Sequence, residues 1–588
     1  MIDRHTPDSA ISARADDART SIARARSLTV AARIKPVAAL FKYVAVVAIA
    51  ARVSAGIPDF TASRPKGPRA ELSRLPHERP PISTIKFGNF RPFNPIDNFI
   101  LARLQQEKIR PGRLCDDWDF ARRASLDLVG LVPTATDLER YFGWKETERR
   151  GRWVDHLLSQ AQYADHWTIF WGDLLREQSR VPGAPPDALK QFIHGSLREN
   201  QPYDVWVREL MTAEGTAEEN PAVAFLLRDR LEPETLTVSV TQSLLGVQLK
   251  CAQCHDHPFD WWTQRDFQGM AGFWRGARVY RDSMETRERR GRVVNVPVLG
   301  VRSSERRAAG IFLTGATSGL GAGPAGLADL LTRKDNPYFA RVAVNRLWEK
   351  LMGVGLVNPA DGFSPLNPPS HPELLDWLAL EFIDHDYDLK HILRLITNSR
   401  TYQQASSLNV KTWMPPGASA EEGLLSSEGS LFDVMPLRKM TAEQVHDSIL
   451  AATGRYWLDE GALRASIKQP YPANPRSFLR IFGAPDRDTL LPRSRAGSIQ
   501  QALTLLNGDF VNRAVTLHQD HPLLYWQRSY GLSTAQMVDA MFIQFLTRLP
   551  TSLERRKVLS YVGFGGQEWA WEDVQWALIN TREFQYIR

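Results

Sequence analysis

From Pro95 onward, apolar residues keep returning at the spacing of one helix face. Ile96, Phe99, Ile100 and Leu104 set the pattern, and Trp167, Phe170, Trp171, Leu174 and Leu175 repeat it with larger side chains. Recurrence at i, i+3 and i+4 lays an apolar stripe along a helix, and that stripe has to be buried against another element. The chain must therefore fold largely as packed helices. It holds only 3 cysteines in 588 residues, so disulfides do not hold the fold and the 43% of hydrophobic residues must supply the core. The length predicts two to four domains.

The helical spacing predicts helices over Trp118–Leu128, Trp153–Leu158, Tyr163–Arg176, Val205–Met211 and Thr235–Leu249. Beyond Asp329 it predicts Tyr338–Met352, Pro372–Asp384, Leu389–Asn398, Thr441–Leu450, Ser498–Asn507, Ala535–Leu549 and Trp571–Asn580. Between these sets, Val293 to Val298 reads as a strand and Gly310 to Gly321 is rich in glycine. The expected fold is mainly α: two helical domains, 93–278 and 331–588, with a small irregular or β segment and a Gly-rich loop at 279–330 between them. Residues 56–92 carry seven prolines and read as an extended linker. The run from Thr314 to Gly321 has the T-G-x-x-x-G-x-G form of a dinucleotide phosphate loop. That loop needs a strand before it and a helix after it. Pro324 is expected to interrupt such a helix, so the favoured reading is an interdomain loop.

Two of the three cysteines stand in Cys251-Ala252-Gln253-Cys254-His255. C-x-x-C-H is the attachment motif of c-type haem: each thiol adds to a vinyl group and the histidine, here His255, becomes an axial ligand of the iron. Random placement of these residue types gives such a run in roughly 3 of 10,000 chains of this composition. Half of a zinc site, a thiol redox pair and a structural disulfide remain open as other readings. Against the first, there is no second C-x-x-C to supply two more ligands; against the second, there is no surrounding βαβ pattern. His257, two residues on, is a candidate for binding a propionate or a second metal, or for capping the turn before Pro258. Met270 and His371 are candidates for a sixth iron ligand. Trp261, Trp262, Phe267, Phe273 and Trp274 suit a haem wall or a sugar-stacking surface, with ordinary core as the default. The cluster from Asp384 to Lys390 suits a cation, but a capping turn led by Asp388 is favoured.

Haem c is attached outside the cytoplasm, and the N-terminus fits that compartment. Residues 1–35 are polar and Arg-rich, Tyr43 to Ala51 is unbroken apolar sequence, and Val53-Ser54-Ala55 offers a small-residue cleavage site. That order is the order of a signal peptide, so residues 1–55 read as a leader. The apolar run is too short for a permanent membrane span, which needs about 20 residues. Nine Lys/Arg against four Asp/Glu in residues 1–55 account for most of the formal charge of +7. The basic balance therefore gives no support for nucleic-acid binding. Cys115 is left over, and in an oxidising compartment it is either free or paired with another chain.

Longer stretches carry a family resemblance. They are Asn94-Pro95-Ile96-Asp97, the run from Arg122 to Thr134, and the run from Leu245 to Asp260 around the cysteines. A second set is Asp335 to Arg341, Val344 to Trp348, Asn367 to Trp377, Asn398 to Gln403 and Gln501 to Gly508. Together they resemble the planctomycete-type secreted cytochrome-like domain followed by its C-terminal partner domain, both of unknown function. Relatives often carry a small Cys-containing segment before the Gln501-Ala502-Leu503 helix; this chain has Leu490 to Arg495 there. The resemblance implies export to the periplasm, the cell envelope or beyond, one covalent haem c, and an association with polysaccharide use. Combined with the motif, it leads to an exported electron-transfer protein with a redox partner protein. A haem or metal enzyme acting on an extracellular substrate and a non-catalytic envelope scaffold are the alternatives, and whether the chain is an enzyme stays open.

Overall fold

In a computed structural model the described residues are 74–588, apart from 84, 86, 89, 290–291, 304–309, 320–321, 407–430, 456–464, 491–492, 494–495, 518–520 and 566–567. The leader at 1–55 and the first part of the proline-rich segment lie outside them. The fold is mainly α. Every segment predicted from helical spacing contains a helix, and several ends are set by the residues expected to set them. Pro372–Asp384 begins on its proline. Ala442–Ala452 and Ile499–Asn507 are capped by the hydroxyls of Thr441 and Ser498, each accepting an N–H of the first turn.

Pro324 does not break a helix. Gly323–Leu331 is helical and takes Pro324 in its first turn, where the missing N–H would have had no intrahelical partner. Before that helix lies a turn, closed by an isolated bridge between Ile311 and Thr317 and by Gly315 at φ +82°. The expected strand at 293–298 is longer than its apolar run suggested. Arg292–Ser303 pairs antiparallel with Ala277–Arg289 on one side and with Gly215–Thr216 on the other.

Two hydrophobic cores organise the chain. The larger runs from Leu75 to Met435 and is filled by Trp153, Trp167, Trp171, Trp206, Trp274 and Trp348 among others. The smaller gathers residues 440–587 and borrows Leu126 and Val132 from the N-terminal region. The helix Asp117–Leu128 thus serves both: Phe120, Ala121, Ala124 and Leu128 face the first core and Leu126 the second. A short ladder between Arg438–Lys439 and Tyr586–Ile587 ties the end of the chain to the start of the second core. Among the described residues no helix is long and apolar enough to cross a membrane.

Buried charge fastens the helix Asp117–Leu128 to distant parts of the chain. Arg123 donates to the carbonyls of Tyr402 (2.5 Å), Gln404 (2.8 Å) and Arg588 (2.8 Å). Arg122 donates to those of Phe545 (3.0 Å) and Phe584 (2.9 Å). Asp127 accepts both arms of Arg438 (2.8 and 2.7 Å) and the hydroxyl of Tyr402 (2.7 Å). All three side chains are fully buried. Removing one member of such a pair strands the other in a dry interior, at about 3–5 kcal/mol. Asp127→Ala should therefore lower unfolding stability by about that amount in urea titrations, through the orphaned Arg438. Adding Arg438→Met should recover part of the loss, and strictly additive losses would refute the pairing.

Candidate functional site

The cysteine motif is built from the end of a helix. Pro233–Leu245 stops at Gly246, which is left-handed at φ +63°. A Cβ there would come within 2.6 Å of Phe363 and 2.9 Å of Val342, so glycine serves both the turn and the close approach. The helix's last carbonyls are taken by Arg346, which donates to Ser243 O (3.1 Å) and Gln242 O (2.6 Å). The chain then runs into a short 3₁₀ turn, Lys250–Gln253. Val247, Leu249 and Ala252 point into the main core and are buried. The residues between them must face outward, and Cys251, Cys254 and His255 are all exposed.

Polar contacts hold this turn. Gln264 donates through its side chain to the carbonyls of Gln253 (3.3 Å) and Cys254 (3.2 Å), and its N–H binds Asp256 Oδ1 (2.9 Å). Ser364 donates to Asp260 Oδ1 (3.0 Å), fixing the far side of the loop to the second half of the chain. Both motif cysteines are free thiols. The Nδ1 of His255 lies 2.7 Å from the carbonyl of Asp256. A carbonyl only accepts, so Nδ1 carries the proton and Nε2 keeps its lone pair for a metal. Two outward thiols beside an imidazole whose Nε2 is free to coordinate fit covalent haem attachment.

His257 is arranged differently. Its Nδ1 accepts the N–H of Phe259 (3.2 Å), and its backbone N–H donates to Trp262 O (2.7 Å). The neutral ring therefore carries its proton on Nε2. Burial depresses its pKa, with Asp260 opposing and His255 adding to the effect. These contacts make His257 a brace of the loop, with its Nε2–H left as a donor. Phe267, Phe273 and Trp274 are core. Trp261 and Trp262 line a cavity of about 420 Å³ together with Phe312, Leu313 and Tyr338.

Neither suggested sixth ligand is presented at the exposed turn. Met270 is completely buried in the main core. His371 lines a separate pocket with Phe99 and Arg103, its ring lying against Phe432 and its Nδ1 3.1 Å from Ser370 Oγ. Cys115 is a buried free thiol, pushed upward in pKa by burial, and is not placed to bridge to another chain.

A second cavity, of about 280 Å³, gave no signal in the sequence. Asp127, Asp173, Lys350, Glu443 and Arg493 converge there from separate parts of the chain. Arg493 binds Asp173 (2.5 Å) and Glu443 (2.6 Å). Against the upward push of burial, Arg493 holds Glu443 well below the usual carboxylate range. Burial, with Arg493 adding to it, brings Lys350 down to about 8.

Residues 95–279 match the PSCyt2 family, a protein of unknown function (DUF1549), and residues 324–562 match the PSD1 family, a protein of unknown function (DUF1553). The two occur in the order that the motifs suggested. No curated protein and no solved structure matches the chain.

His371 supplies a test of these placements. It is 5% exposed, and burial, helped by Arg103, lowers its pKa from 6.5 to about 4. Its folded pKa lies below its unfolded one, so its contribution to stability is complete above pH 6.5 and is lost as the pH falls toward 4. Urea unfolding should show roughly 2–3 kcal/mol less stability at pH 4.5 than at pH 7 from this residue. His371→Gln should flatten that part of the pH profile.

Proposed function

We propose that this chain is an exported c-type haem protein. It transfers electrons to a partner protein in the periplasm or cell envelope and takes part in polysaccharide use. Cys251 and Cys254 would hold one haem through thioethers, and His255 would ligate its iron. The observation that carries the reading is the hydrogen bond from His255 Nδ1 to Asp256 O (2.7 Å), which leaves Nε2 to coordinate beside two free, exposed thiols. Bound haem supplies a one-electron couple whose potential depends on its axial ligands and exposure.

The chain's own residues hold and orient. Val247, Leu249 and Ala252 anchor the turn in the core, Gln264 fixes its carbonyls, and Asp256 sets the tautomer of His255. The exposure of the turn gives a redox partner direct access. The burial of Met270 and the separate pocket of His371 favour a second reading, in which neither would ligate the iron and a bound haem would take up a small ligand or substrate.

The full chain, expressed in a host that matures cytochromes c, should show a Soret band and haem staining that survives denaturing electrophoresis. Cys251→Ala or Cys254→Ala should reduce that covalent stain and the double substitution abolish it. Exported protein with both cysteines intact and no haem would overturn the reading. Carbon monoxide should shift the reduced spectrum if the distal position is open, whereas an unchanged six-coordinate spectrum would leave electron transfer alone.

A further inference from the structure

The last turn of Pro372–Asp384 and the first turn of Leu389–Thr397 bring three ligating side chains together. Glu381 and His385 are one helical turn apart, which places them on the same face. Asp388 caps the second helix by accepting the N–H groups of Lys390 (2.8 Å) and His391 (3.2 Å). Its position turns the chain back so that His391 lies over His385. The two imidazoles stack with centroids 3.8 Å apart and planes 10° apart. His391 Nε2 is 2.8 Å from Glu381 Oε1; His385 Nδ1 is 3.3 Å from the same oxygen and donates its proton to the backbone carbonyl of Glu381 (2.9 Å). The three ligating atoms all lie within 4.8 Å of one another.

We propose that Glu381, His385 and His391 form a binding site for a divalent transition-metal ion of the zinc class, independent of the cysteine motif. Two imidazole nitrogens and one carboxylate oxygen are a donor set that zinc accepts, at about 2.0–2.2 Å from each atom. Donors around a tetrahedral ion at those bond lengths stand roughly 3.3–3.5 Å apart; His385 Nδ1 already stands at 3.3 Å from Glu381 Oε1, and His391 Nε2, at 2.8 Å, has to draw back by about half an ångström. The carboxylate is preoriented. Arg79 pairs with its other oxygen, Oε2, and also with Asp384 (2.6 Å), leaving Oε1 toward the histidines. Glu381 is buried while the side chain of His385 is 44% exposed, so the ion has a fixed inner ligand and an entry path. The ring planes are nearly parallel, so each ring has to turn out of the stack to aim its lone pair at a shared ion, with each proton moving to the outward nitrogen as the ion replaces the hydrogen bonds to Glu381. Asp384 balances Arg79, and the carboxylate of Glu381 retains one negative charge for the cation. Three protein ligands leave a fourth position facing solvent.

The test uses the full chain carrying Cys251→Ser, Cys254→Ser and His255→Ala, which removes the other metal-binding candidate and makes the result independent of the haem reading. Titration calorimetry with Zn²⁺ should show one equivalent bound. His385→Ala and His391→Ala should each weaken binding by at least about tenfold, with an unchanged far-ultraviolet circular dichroism spectrum. Co²⁺ should give visible absorption bands that Zn²⁺ displaces. Absence of saturable binding, or binding unchanged in the His385→Ala/His391→Ala double variant, would overturn the proposal.

Discussion

The structure depends on the ion pair between Asp127 and Arg438. It joins a helix near the start of the fold to the strand that opens the second core, with both residues buried beside the charged cavity. Tyr402 completes the acceptor set of Asp127, and Arg123, on the same helix, binds the carbonyl of Tyr402. One helix thus fixes the 402–404 segment, the strand at 438 and the last residue of the chain. Such groups add little to stability relative to a well-packed apolar joint, but an arrangement that separated the two would strand a buried charge.

That joint changes the meaning of the family motifs. The stretch Arg122-Arg123-Ala124-Ser125-Leu126-Asp127 is a docking device. So is Asn94-Pro95-Ile96-Asp97: Asp97 accepts from Phe93 N, Arg400 N, Thr401 N and Thr401 Oγ. Asn345 closes a loop by exchanging two hydrogen bonds with Val357, and Arg346 ends the helix before the cysteines. Long polar motifs are often read as chemistry, yet here most of them satisfy buried backbone groups. The cysteine turn differs in kind. Its apolar residues are buried and its reactive ones are exposed, so its two thiols and the Nε2 of His255 satisfy no buried group.

The helices were legible because an apolar stripe is a local property: Trp153, Leu157 and Leu158 announce their helix wherever it packs. The turn at Cys251 to His255 was legible for the same reason, its spacing being contiguous. The strand Arg292–Ser303 was only partly visible, because pairing with Ala277–Arg289 extends it beyond its apolar run. Pro324 misled because the rule about proline depends on position in a helix, and the position was unknown until the helix start was seen. The charged cavity around Lys350 and Glu443 left no trace, since its residues are far apart in the chain.

By itself the sequence determined that the chain is mainly helical, that its core is apolar rather than cross-linked, and that two thiols and a histidine share one short turn. These follow from composition and local spacing. Tertiary structure alone decided that the turn faces outward, that Met270 is sealed away from it, and that Glu381 and His391 meet across two helices. The reason is that burial and convergence depend on which faces pack together, and packing is settled by contacts hundreds of residues apart, such as Asp127 with Arg438.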